Sequence, residues 1–448
     1  MGQIAYLFPA FPVFHQTFVL WEVLGLRRSG MNPRLYSLRR PGSRQQPEAR
    51  RIVEEVTYLP RLLSWPVLRA NARRAHADPR GYGRLYLQVW KAWRTGAAPP
   101  ADGERRGGPR VSLYNRWRGW FNSQPVLYLL KSWLLVPTAV DLADRLTADG
   151  VSHLHVHWAS YPATVAYVVH LISGLPFSIS AHAYDIYMVP RMLPAKLRAA
   201  RFLVTCAKTN ASFLTRLAGA DLGRKVIVSY HGVDVTRFEP TPDGEHASQR
   251  GGPLTIVSCG QLERYKGMHL LVEACARVAQ RGVVFECWIV GEGPERVRLQ
   301  AQIERLGLTR HVHLTGSQPH AEVAALFRRA DIFALASELA GRSGRRDVIA
   351  NVIVEAMAAA LPVVASHIPG VEELVDDQET GYLVRPNDVD HLVEAIVRLA
   401  ESPQERLRMG QAARRRVLRD FDNRKNVGGL AQLLRTACNE PALGLAAG

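Results

Sequence analysis

Cysteine is scarce in this sequence, and its placement excludes the structural roles that cysteine most often has. The 448 residues include five cysteines, which are scattered and never spaced as Cys-x-x-Cys. An odd number of separated cysteines favours neither a disulfide framework nor a structural zinc site. The pattern predicts reduced thiols and is typical of a cytoplasmic protein.

The sequence also shows no sign of an export signal or of repeats. Its first residues, MGQIAYLFPAFPVF, lack the basic start of a signal peptide and indicate a strand followed by a loop. No period of about 20 to 50 residues recurs, which excludes solenoids and propellers. With 47% hydrophobic and 22% charged residues, the chain is predicted to form two or three compact domains.

Acidic residues are fewer than basic residues, and the excess positive charge is concentrated in one segment. There are 57 Lys and Arg against 40 Asp and Glu, a formal net charge of +17. Residues 61–131 hold 14 basic and three acidic residues and therefore carry +11 of that charge. Six of the nine tryptophans lie in this segment or directly after it: Trp65, Trp90, Trp93, Trp117, Trp120 and Trp133.

Basic residues interleaved with tryptophan favour contact with an anionic membrane, where indole rings settle at the depth of the headgroups. Two alternatives stay open. One is a solvated helical insert whose tryptophans pack inward, and the other is nucleic-acid binding, although no recognised nucleic-acid module accompanies the segment. The apolar run from Pro125 to Val140 is shorter than the roughly 20 residues of a spanning helix, so only peripheral contact is predicted.

From residue 254 onward, short β-branched runs alternate with helical patterns, which predicts a parallel sheet covered on both faces. The predicted strands are 254–260, 285–291, 312–316, 331–337 and 362–366, and the helices between them are 267–281, 294–306, 320–330 and 351–360.

The first half repeats this alternation less regularly, and a polar stretch rich in Gly and Pro at 239–253 separates the two halves. The prediction is an α/β protein of two doubly wound, Rossmann-like domains with a ligand cleft between them. The predicted boundaries are 1–245, with the basic insert at 61–131, then 253–416, and a C-terminal helix at 417–440 that packs back on the first domain.

Candidate binding residues follow the predicted strands of the second domain. GQLERYKG places Lys266 in a glycine-flanked turn, where its ammonium and nearby helix N-termini would hold a diphosphate; the alternative is a solvated loop lysine. GEGP, at 291–294, lets the backbone approach a flat ring or a phosphate. It lacks the third glycine of a dinucleotide fingerprint, which disfavours NAD.

Two further loops of the second domain carry carboxylates. Asp347 precedes a helix that contains Glu355, and a carboxylate in an otherwise apolar helix needs a partner, such as a ribose or hexose hydroxyl. The alternative is a helix-capping Asp and a structural Glu. SHIPGVEELV, at 366–375, predicts a Pro-Gly turn and a helix start with Glu372 and Glu373 in its first turn.

In the first domain, His182 and Asp185 follow the predicted strand PFSISA, and histidine is the usual proton carrier near neutral pH; the alternative is a solvated loop His. HLHVHW puts His153, His155 and His157 on one face of a strand. No acidic partner or fourth ligand is evident from the sequence, so no metal site is predicted.

Taken in order, these motifs resemble those of the retaining glycosyltransferases of group 1 (family 4), which have two facing Rossmann-like domains, the GT-B type fold. The resemblance covers most of the chain. It rests on 260–267, 291–294, 347–355 and 369–374 in the second domain, and on HGVDVTRF at 231–238. FPVFHQTFVLWE at 11–22 and AHAYD at 181–185 are similar to elements of members that build exopolysaccharide and lipopolysaccharide.

The resemblance implies transfer of a sugar from a nucleoside diphosphate sugar to a lipid-linked or oligosaccharide acceptor at the inner face of the plasma membrane, without a metal or another cofactor. Lys266 would neutralise the leaving diphosphate, Glu355 would bind the ribose, Asp347 the sugar, and His182 would orient sugar or acceptor. The other implied donor-site residues are Gly260, Gln261, Arg264, Gly291, Gly293, Asn351, Gly370 and Glu373, and the acceptor-side residues are His15, Asp185 and His157.

The sequence departs from the family pattern at four positions. Gln261 stands where the family has Arg, and Asp347 replaces the first Glu of the Glu-seven-residues-Glu motif. Val348 and Ala350 replace a common Gly and Pro. Arg264 would supply the missing cation. A catalytically inactive scaffold and a nucleotide-sugar-modifying Rossmann enzyme are the alternatives.

Overall fold

The computed structural model describes residues 2–95, 125–187, 190–240, 252–339 and 347–439. These divide into two compact units. The first comprises the described residues up to Ser229 and those from Val427 onward, and the second comprises those from Tyr230 to Asn426. The basic segment is described only up to residue 95 and from residue 125, and most of the predicted linker at 239–253 lies outside the described residues.

The boundary between the units falls earlier than residue 245, where the prediction ended the first domain. The segment after Ser229 packs with the second unit: the Val233 amide donates to the carbonyl of Phe421 at 2.8 Å, and the Asn423 amide donates to the carbonyl of Val233 at 3.0 Å. Phe238 is fully buried in the same core.

In the described part of the first unit, seven parallel strands form one sheet in the order β3-β2-β1-β4-β5-β6-β7. They are β1 (Gln3–Phe8), β2 (Arg34–Ser37), β3 (Val56–Tyr58), β4 (Val151–His157), β5 (Phe177–Ala181), β6 (Leu203–Thr205) and β7 (Val226–Val228). The helices are α1 (Thr17–Arg28), α2 (Arg50–Glu55), α3 (Trp65–Ala77), α4 (Pro79–Arg94), α5 (Pro125–Leu134), α6 (Val136–Ala148), α7 (Tyr161–Ser173), α8 (Tyr184–Tyr187), α9 (Leu193–Ala199), α10 (Lys208–Ala218) and α11 (Ala220–Gly223).

The described part of the second unit has a six-stranded parallel sheet in the order β10-β9-β8-β11-β12-β13. Its strands are β8 (Leu254–Cys259), β9 (Phe285–Val290), β10 (Val312–Gly316), β11 (Ile332–Leu335), β12 (Val363–Ser366) and β13 (Gly381–Val384). The helices are α12 (Met268–Gln280), α13 (Arg296–Arg305), α14 (His320–Arg329), α15 (Asn351–Ala358), α16 (Val389–Glu401) and α17 (Pro403–Asp420), followed by α18 (Asn423–Asn439).

The predicted fold class, two doubly wound Rossmann-like domains, is confirmed. The five predicted strands of the second domain correspond to β8–β12, and only the short β13 was missed. Consecutive residues Ile256 and Val257 are both fully buried, as expected for a strand covered by helices on both faces. Strand order reverses at β1/β4 and at β8/β11, and ligands of such sheets bind beyond the carboxyl ends of the strands at these points.

The C-terminal helix contributes to the core of the first unit. Val427, Leu430 and Leu434 of α18 are buried in one cluster with Ile4 of β1 and Val23 of α1. Because these residues recur at intervals of three and four, they form one apolar face of the helix. This face covers the side of the first sheet on which α1 also lies.

Three of the tryptophans in and after the basic segment pack inward. Trp90, Trp93 and Trp133 are partly buried against the core of the first unit, as the inward-packing alternative predicts. Trp65, at the start of α3, is 74% exposed. Trp117 and Trp120 lie outside the described residues.

One helical stretch, Val126–Ala148, is long and apolar enough to cross a membrane when judged by length and composition alone, with a mean hydropathy of 1.5. The predicted apolar run ends at Val140, whereas the helical stretch continues to Ala148. Half of the stretch is buried inside the protein. Val136, Ala139 and Leu142 of α6 lie in the core of the first unit, which is the packing of a core helix.

Candidate functional site

Lys266 and Asp347 form a buried ion pair in the second unit. Lys266 lies in the short turn after β8, and its Nζ donates to Oδ1 of Asp347 at 2.6 Å. The two side chains are only 12% and 9% exposed. The hydroxyl of Ser337, which follows β11, donates to Oδ2 of the same carboxylate at 2.5 Å. Lys266 and Ser337 therefore follow the carboxyl ends of β8 and β11, the two neighbouring strands at which the strand order reverses.

The ion pair keeps the lysine charged. Burial alone would lower the pKa of Lys266, but the nearby Asp347 carboxylate overrides this effect and raises that pKa above its ordinary value. The ammonium therefore lies, protonated and paired with Asp347, at the point of the sheet where ligands of such folds bind. Such a charge is well suited to a phosphate or diphosphate ligand.

The glycines after β8 and β9 are required by the packing of the two loops. A Cβ at Gly291, whose φ is 150°, would collide with the carbonyl oxygen of Gly260. A Cβ at Gly293 would collide with the carbonyl oxygen of Leu262. The sequence predicts that these glycines admit a ring or a phosphate, whereas in the structure the neighbouring loop occupies the space next to them.

Glu355 has a partner that the sequence analysis did not identify. Its Oε1 lies 3.0 Å from Nε2 of His320, the first residue of α14, and both residues are buried. Asn351 begins the same helix as Glu355. The expectation that a buried carboxylate needs a partner is correct for Glu355. The sequence does not show, however, that α14 and α15 bring His320 and Glu355 together.

The two predicted donor-site residues at the exposed side of the β8 loop are less constrained. Gln261 is exposed. Arg264 is 52% exposed, and its Nε lies 3.5 Å from Oε1 of Glu338. An exposed guanidinium at this distance is weakly held. Arg264 therefore places an exposed cation two residues before Lys266.

The predicted helix start at 366–375 is wrong. The structure has successive turns from Pro369 to Leu374. Gly370 has a φ of 94°, outside the right-handed helical region, and a Cβ there would collide with the carbonyl oxygen of Val348. Glu373 accepts a hydrogen bond from the Tyr230 hydroxyl at 2.9 Å, so this carboxylate is held inside the second unit.

In the first unit, the predicted acceptor-side residues His157 and His182 are neighbours. Nδ1 of His157, at the end of β4, lies 3.4 Å from Nε2 of His182, which follows β5. Nε2 of His157 lies 3.0 Å from Oε1 of Glu22 in α1. The prediction that this histidine face has no acidic partner is therefore wrong. His15 is exposed, in the turn closed by the Gln16 amide and the Val13 carbonyl.

Asp185 holds the backbone of the turn after β4. Its fully buried carboxylate accepts from the amide of Ala159 at 2.7 Å and from the amide of His182 at 3.1 Å. Burial raises the pKa of this carboxyl, and the two backbone N–H groups oppose that shift. The role of Asp185 seen in the structure is to fix the loops that carry Trp158 and His182.

Lys196, which was not predicted from the sequence, also stabilises the turn after β4. Its Nζ donates to the carbonyls of Ala159 and Ser160 at 2.8 and 2.7 Å and to the Tyr128 hydroxyl at 2.9 Å. Burial lowers the pKa of Lys196 to about 7, while Asp185 acts in the opposite direction. The turn holds Trp158 at a φ of 72°, a strained conformation for an aromatic residue.

Glu22, His155 and His157 offer ligand-type atoms within 4.8 Å of one another, a grouping that could hold a metal ion. Hydrogen bonds also account for the arrangement. Nδ1 and Nε2 of His155 lie 2.7 and 2.9 Å from the hydroxyls of Ser178 and Ser180. Glu22 lies within hydrogen-bond distance of His157. In the described residues this cluster is therefore explained as a hydrogen-bonded network.

The fold and the loops at its switch points define a Rossmann-like protein whose second unit carries a buried cation suited to a phosphate. Residues 245–416 match the family model described as glycosyl transferases group 1. The match covers most of the second unit.

Curated relatives are similar over about half of their length. The putative colanic acid biosynthesis glycosyltransferase WcaL of Escherichia coli (strain K12) is 36% identical over 212 residues, which are 47% of this chain and 51% of WcaL. The amylovoran biosynthesis glycosyltransferase AmsK of Erwinia amylovora is 32% identical over 45% of this chain and 50% of AmsK.

A solved structure supports the fold over nearly the whole chain. Anabaena Alr3699/HepE in complex with UDP superposes with a TM-score of 0.66, covers 97% of this chain and 100% of that chain, and is 17% identical. At this identity the likeness concerns the fold, and it agrees with the GT-B type expected from the sequence.

Proposed function

We propose that the protein is a glycosyltransferase that moves a sugar from a nucleoside diphosphate sugar to a glycan acceptor in the synthesis of a cell-surface polysaccharide. The observation that carries this proposal is the buried Lys266 ammonium, 2.6 Å from Asp347, at the carboxyl end of β8. The family match at 245–416 and the names of WcaL and AmsK support it. The complex of Alr3699/HepE with UDP supports a nucleotide as part of the donor.

Several residues of the second unit contribute to donor activation, each in a different way. When the bond between the sugar and the diphosphate breaks, negative charge accumulates on the leaving oxygen, and Lys266 neutralises it. Asp347 and Ser337 hold the ammonium in place before the reaction begins. Glu355, fixed by His320, binds the ribose hydroxyls. Because the chain supplies the cation itself, we propose that transfer requires no divalent metal. From the resemblance to retaining glycosyltransferases, we also propose that the anomeric configuration is retained.

A panel of UDP- and GDP-sugars tests the proposal. Binding is measured by calorimetry, and transfer is measured with radiolabelled donors and membrane extracts as acceptor. We expect one donor to bind and to label a glycan, without loss of activity in EDTA. A protein that binds nucleotide but transfers no sugar would instead be the non-catalytic scaffold. Absence of nucleotide binding would contradict both functions.

We further propose that the acceptor is lipid-linked and is reached at an anionic membrane on the cytoplasmic side. Helix α5 exposes Val126, Leu130 and Leu134, which recur every four residues and so form one apolar stripe. Trp65 at the start of α3 is exposed as well. Helix α4 contacts both α3 and α5. The three helices contain basic residues but no Asp or Glu, a charge pattern that favours anionic lipid.

Replacing Leu130 and Leu134 with glutamine is expected to weaken membrane binding. Sedimentation with vesicles of phosphatidylcholine and phosphatidylglycerol should show at least about tenfold weaker partitioning, because two apolar side chains no longer enter the interface. Binding of the wild type should also weaken as salt is raised.

The double substitution Leu407→Gln and Leu418→Gln is the matched control. These two leucines are also exposed on a helix, but they lie on α17 of the second unit. The control should bind vesicles as the wild type does. Equal sedimentation of the wild type with neutral and anionic vesicles would remove the membrane proposal and leave a soluble acceptor.

A further inference from the structure

Trp158 follows β4 directly and has a backbone conformation that disfavours a large side chain. Its φ is 72°, in the left-handed region, which glycine adopts without strain. Its amide donates to the carbonyl of Ser180 in β5 at 2.8 Å. Residues in strained conformations cluster at binding and catalytic sites. A glycine would relieve the strain but would offer no side chain, so the strained turn points to a function of the indole.

Two fully buried charged side chains hold this turn in place. The Asp185 carboxylate accepts from the Ala159 amide at 2.7 Å. The Lys196 ammonium donates to the carbonyls of Ala159 and Ser160 at 2.8 and 2.7 Å. Both backbone polar groups of the residue after Trp158 are therefore fixed, which opposes relaxation of the turn to an unstrained conformation.

The indole of Trp158 lies among aromatic rings but is not enclosed by them. The residue is half-buried, with the rings of His182 and Phe18 at centroid distances of 5.0 and 6.5 Å. Within the described residues, no protein group accepts a hydrogen bond from the indole N–H, and this nitrogen is not shielded from solvent. Part of the indole, including its N–H donor, is therefore accessible to a ligand.

The position of Trp158 in the first sheet is one where ligands bind. The strand order reverses between β1 and β4, and Trp158 lies at the carboxyl end of β4. A sugar ring has an apolar face of C–H groups that can stack on an aromatic ring, and hydroxyl oxygens at its edge that can accept from an N–H group. The donor contacts proposed above all come from the second unit, which leaves this position for a different ligand.

We propose that Trp158 forms a sugar-binding site in the first unit, where one ring of the acceptor glycan stacks on the indole and a sugar hydroxyl accepts from its N–H. Asp185 and Lys196 are positioning residues of this site, because they hold the turn that carries the indole. The inference rests on the proposed function, since it names part of the acceptor of that reaction.

Replacing Trp158 with leucine is expected to raise the apparent KM for the acceptor extract about 10- to 100-fold, because the stacking surface and the N–H are both lost. Trp158→Phe keeps an aromatic face and should recover most of this loss. The KM of the donor should change less than about twofold in both variants. A role in packing alone would not separate the two KM values. An acceptor KM in Trp158→Leu equal to that of the wild type would overturn the inference.

The substitution Trp288→Leu is the matched control. Trp288 is also half-buried and packs on a histidine ring, that of His313, with centroids 4.5 Å apart, but it lies on β9 of the second unit. The acceptor KM of this variant should equal that of the wild type. Thermal unfolding checks that each variant is folded. If Trp158→Leu does not fold, Trp158→Phe and the following measurement test the inference.

Fluorine NMR of protein labelled with 5-fluorotryptophan reports on the indole without requiring turnover. The signal that is missing from Trp158→Phe identifies Trp158 among the nine tryptophans. Titration with the methyl glycosides of glucose, galactose and mannose should shift this signal and leave that of Trp288 in place. No shift with any of the three sugars would overturn the inference. A shift with UDP alone would also overturn it, because the indole would then contact the donor.

The two measurements separate failure of this inference from failure of the proposed function. If no nucleotide sugar supports transfer but a methyl glycoside shifts the Trp158 signal, the sugar-binding site stands and the enzymatic function does not. If transfer is measured and Trp158→Leu changes neither the acceptor KM nor the donor KM, only the sugar-binding site is overturned.

Discussion

Replacing Lys266 with alanine is expected to lower kcat for sugar transfer about 100- to 1000-fold, because a preorganised charge opposite the leaving group is lost. The ammonium is buried, and its 2.6 Å contact with Asp347 fixes it before the donor binds. Radiolabelled transfer at saturating donor measures the effect. Unchanged turnover would contradict the role given to Lys266 and would remove the main support for the proposed function.

The loss of the lysine also leaves the Asp347 carboxylate without its ion-pair partner, so folding has to be checked separately. Removal of one member of a buried pair typically costs about 3 to 5 kcal/mol. Lys266→Met with Asp347→Asn keeps much of the side-chain volume without either charge, and thermal unfolding compares it with the wild type. Lys425→Ala, at an exposed lysine of the same unit, is the control and should leave both stability and kcat unchanged.

Replacing Asp185 with alanine is expected to lower the free energy of unfolding of the first unit by about 3 to 5 kcal/mol. The carboxylate is fully buried and accepts from two backbone amides, and its negative charge favours the protonated form of the buried Lys196. Without it, two N–H groups lose their buried acceptor, and the Lys196 ammonium loses a nearby negative charge. Denaturant unfolding, followed by tryptophan fluorescence, measures the change.

Two comparisons make this second prediction specific. Asp185→Asn keeps one accepting oxygen and should cost less, about 1 to 2 kcal/mol. Asp221→Ala removes an aspartate that is 93% exposed and paired with the exposed Arg224, so its effect should be near zero. An Asp185→Ala variant that is as stable as the wild type but inactive would show that Asp185 contacts substrate instead of holding the loops.

The second domain was largely predictable from the sequence because its elements are defined by local patterns. Short β-branched runs and the helical stretches between them predicted five strands within a few residues. The exception is the segment at 369–374, where acidic residues after a Pro-Gly turn indicated a helix. In the structure this segment forms successive turns, and Gly370, with a φ of 94°, lies against the Val348 backbone of another loop.

The candidate sites were only partly predictable, because they depend on contacts between distant parts of the chain. The sequence singled out Lys266 and Asp347 separately, but not as a pair, since they are 81 positions apart. It found His157 but not Glu22, which lies 135 positions away and belongs to a helix with no local metal or acid-base pattern. The role of Lys196 could not be predicted, because nothing in the surrounding sequence indicates that its side chain is fully buried.

The sequence by itself determined the two doubly wound domains, the glycine-rich loops, the excess of basic residues in one segment and the likeness to group 1 glycosyltransferases. Periodicity and short motifs are local, so they can be recognised without a structure. The tertiary structure alone decided which side chains meet: Lys266 with Asp347, Glu355 with His320, and Glu22 with His157. Parallel sheets bring the ends of strands from distant positions to one edge, and that edge is where the chemistry of both units is assembled.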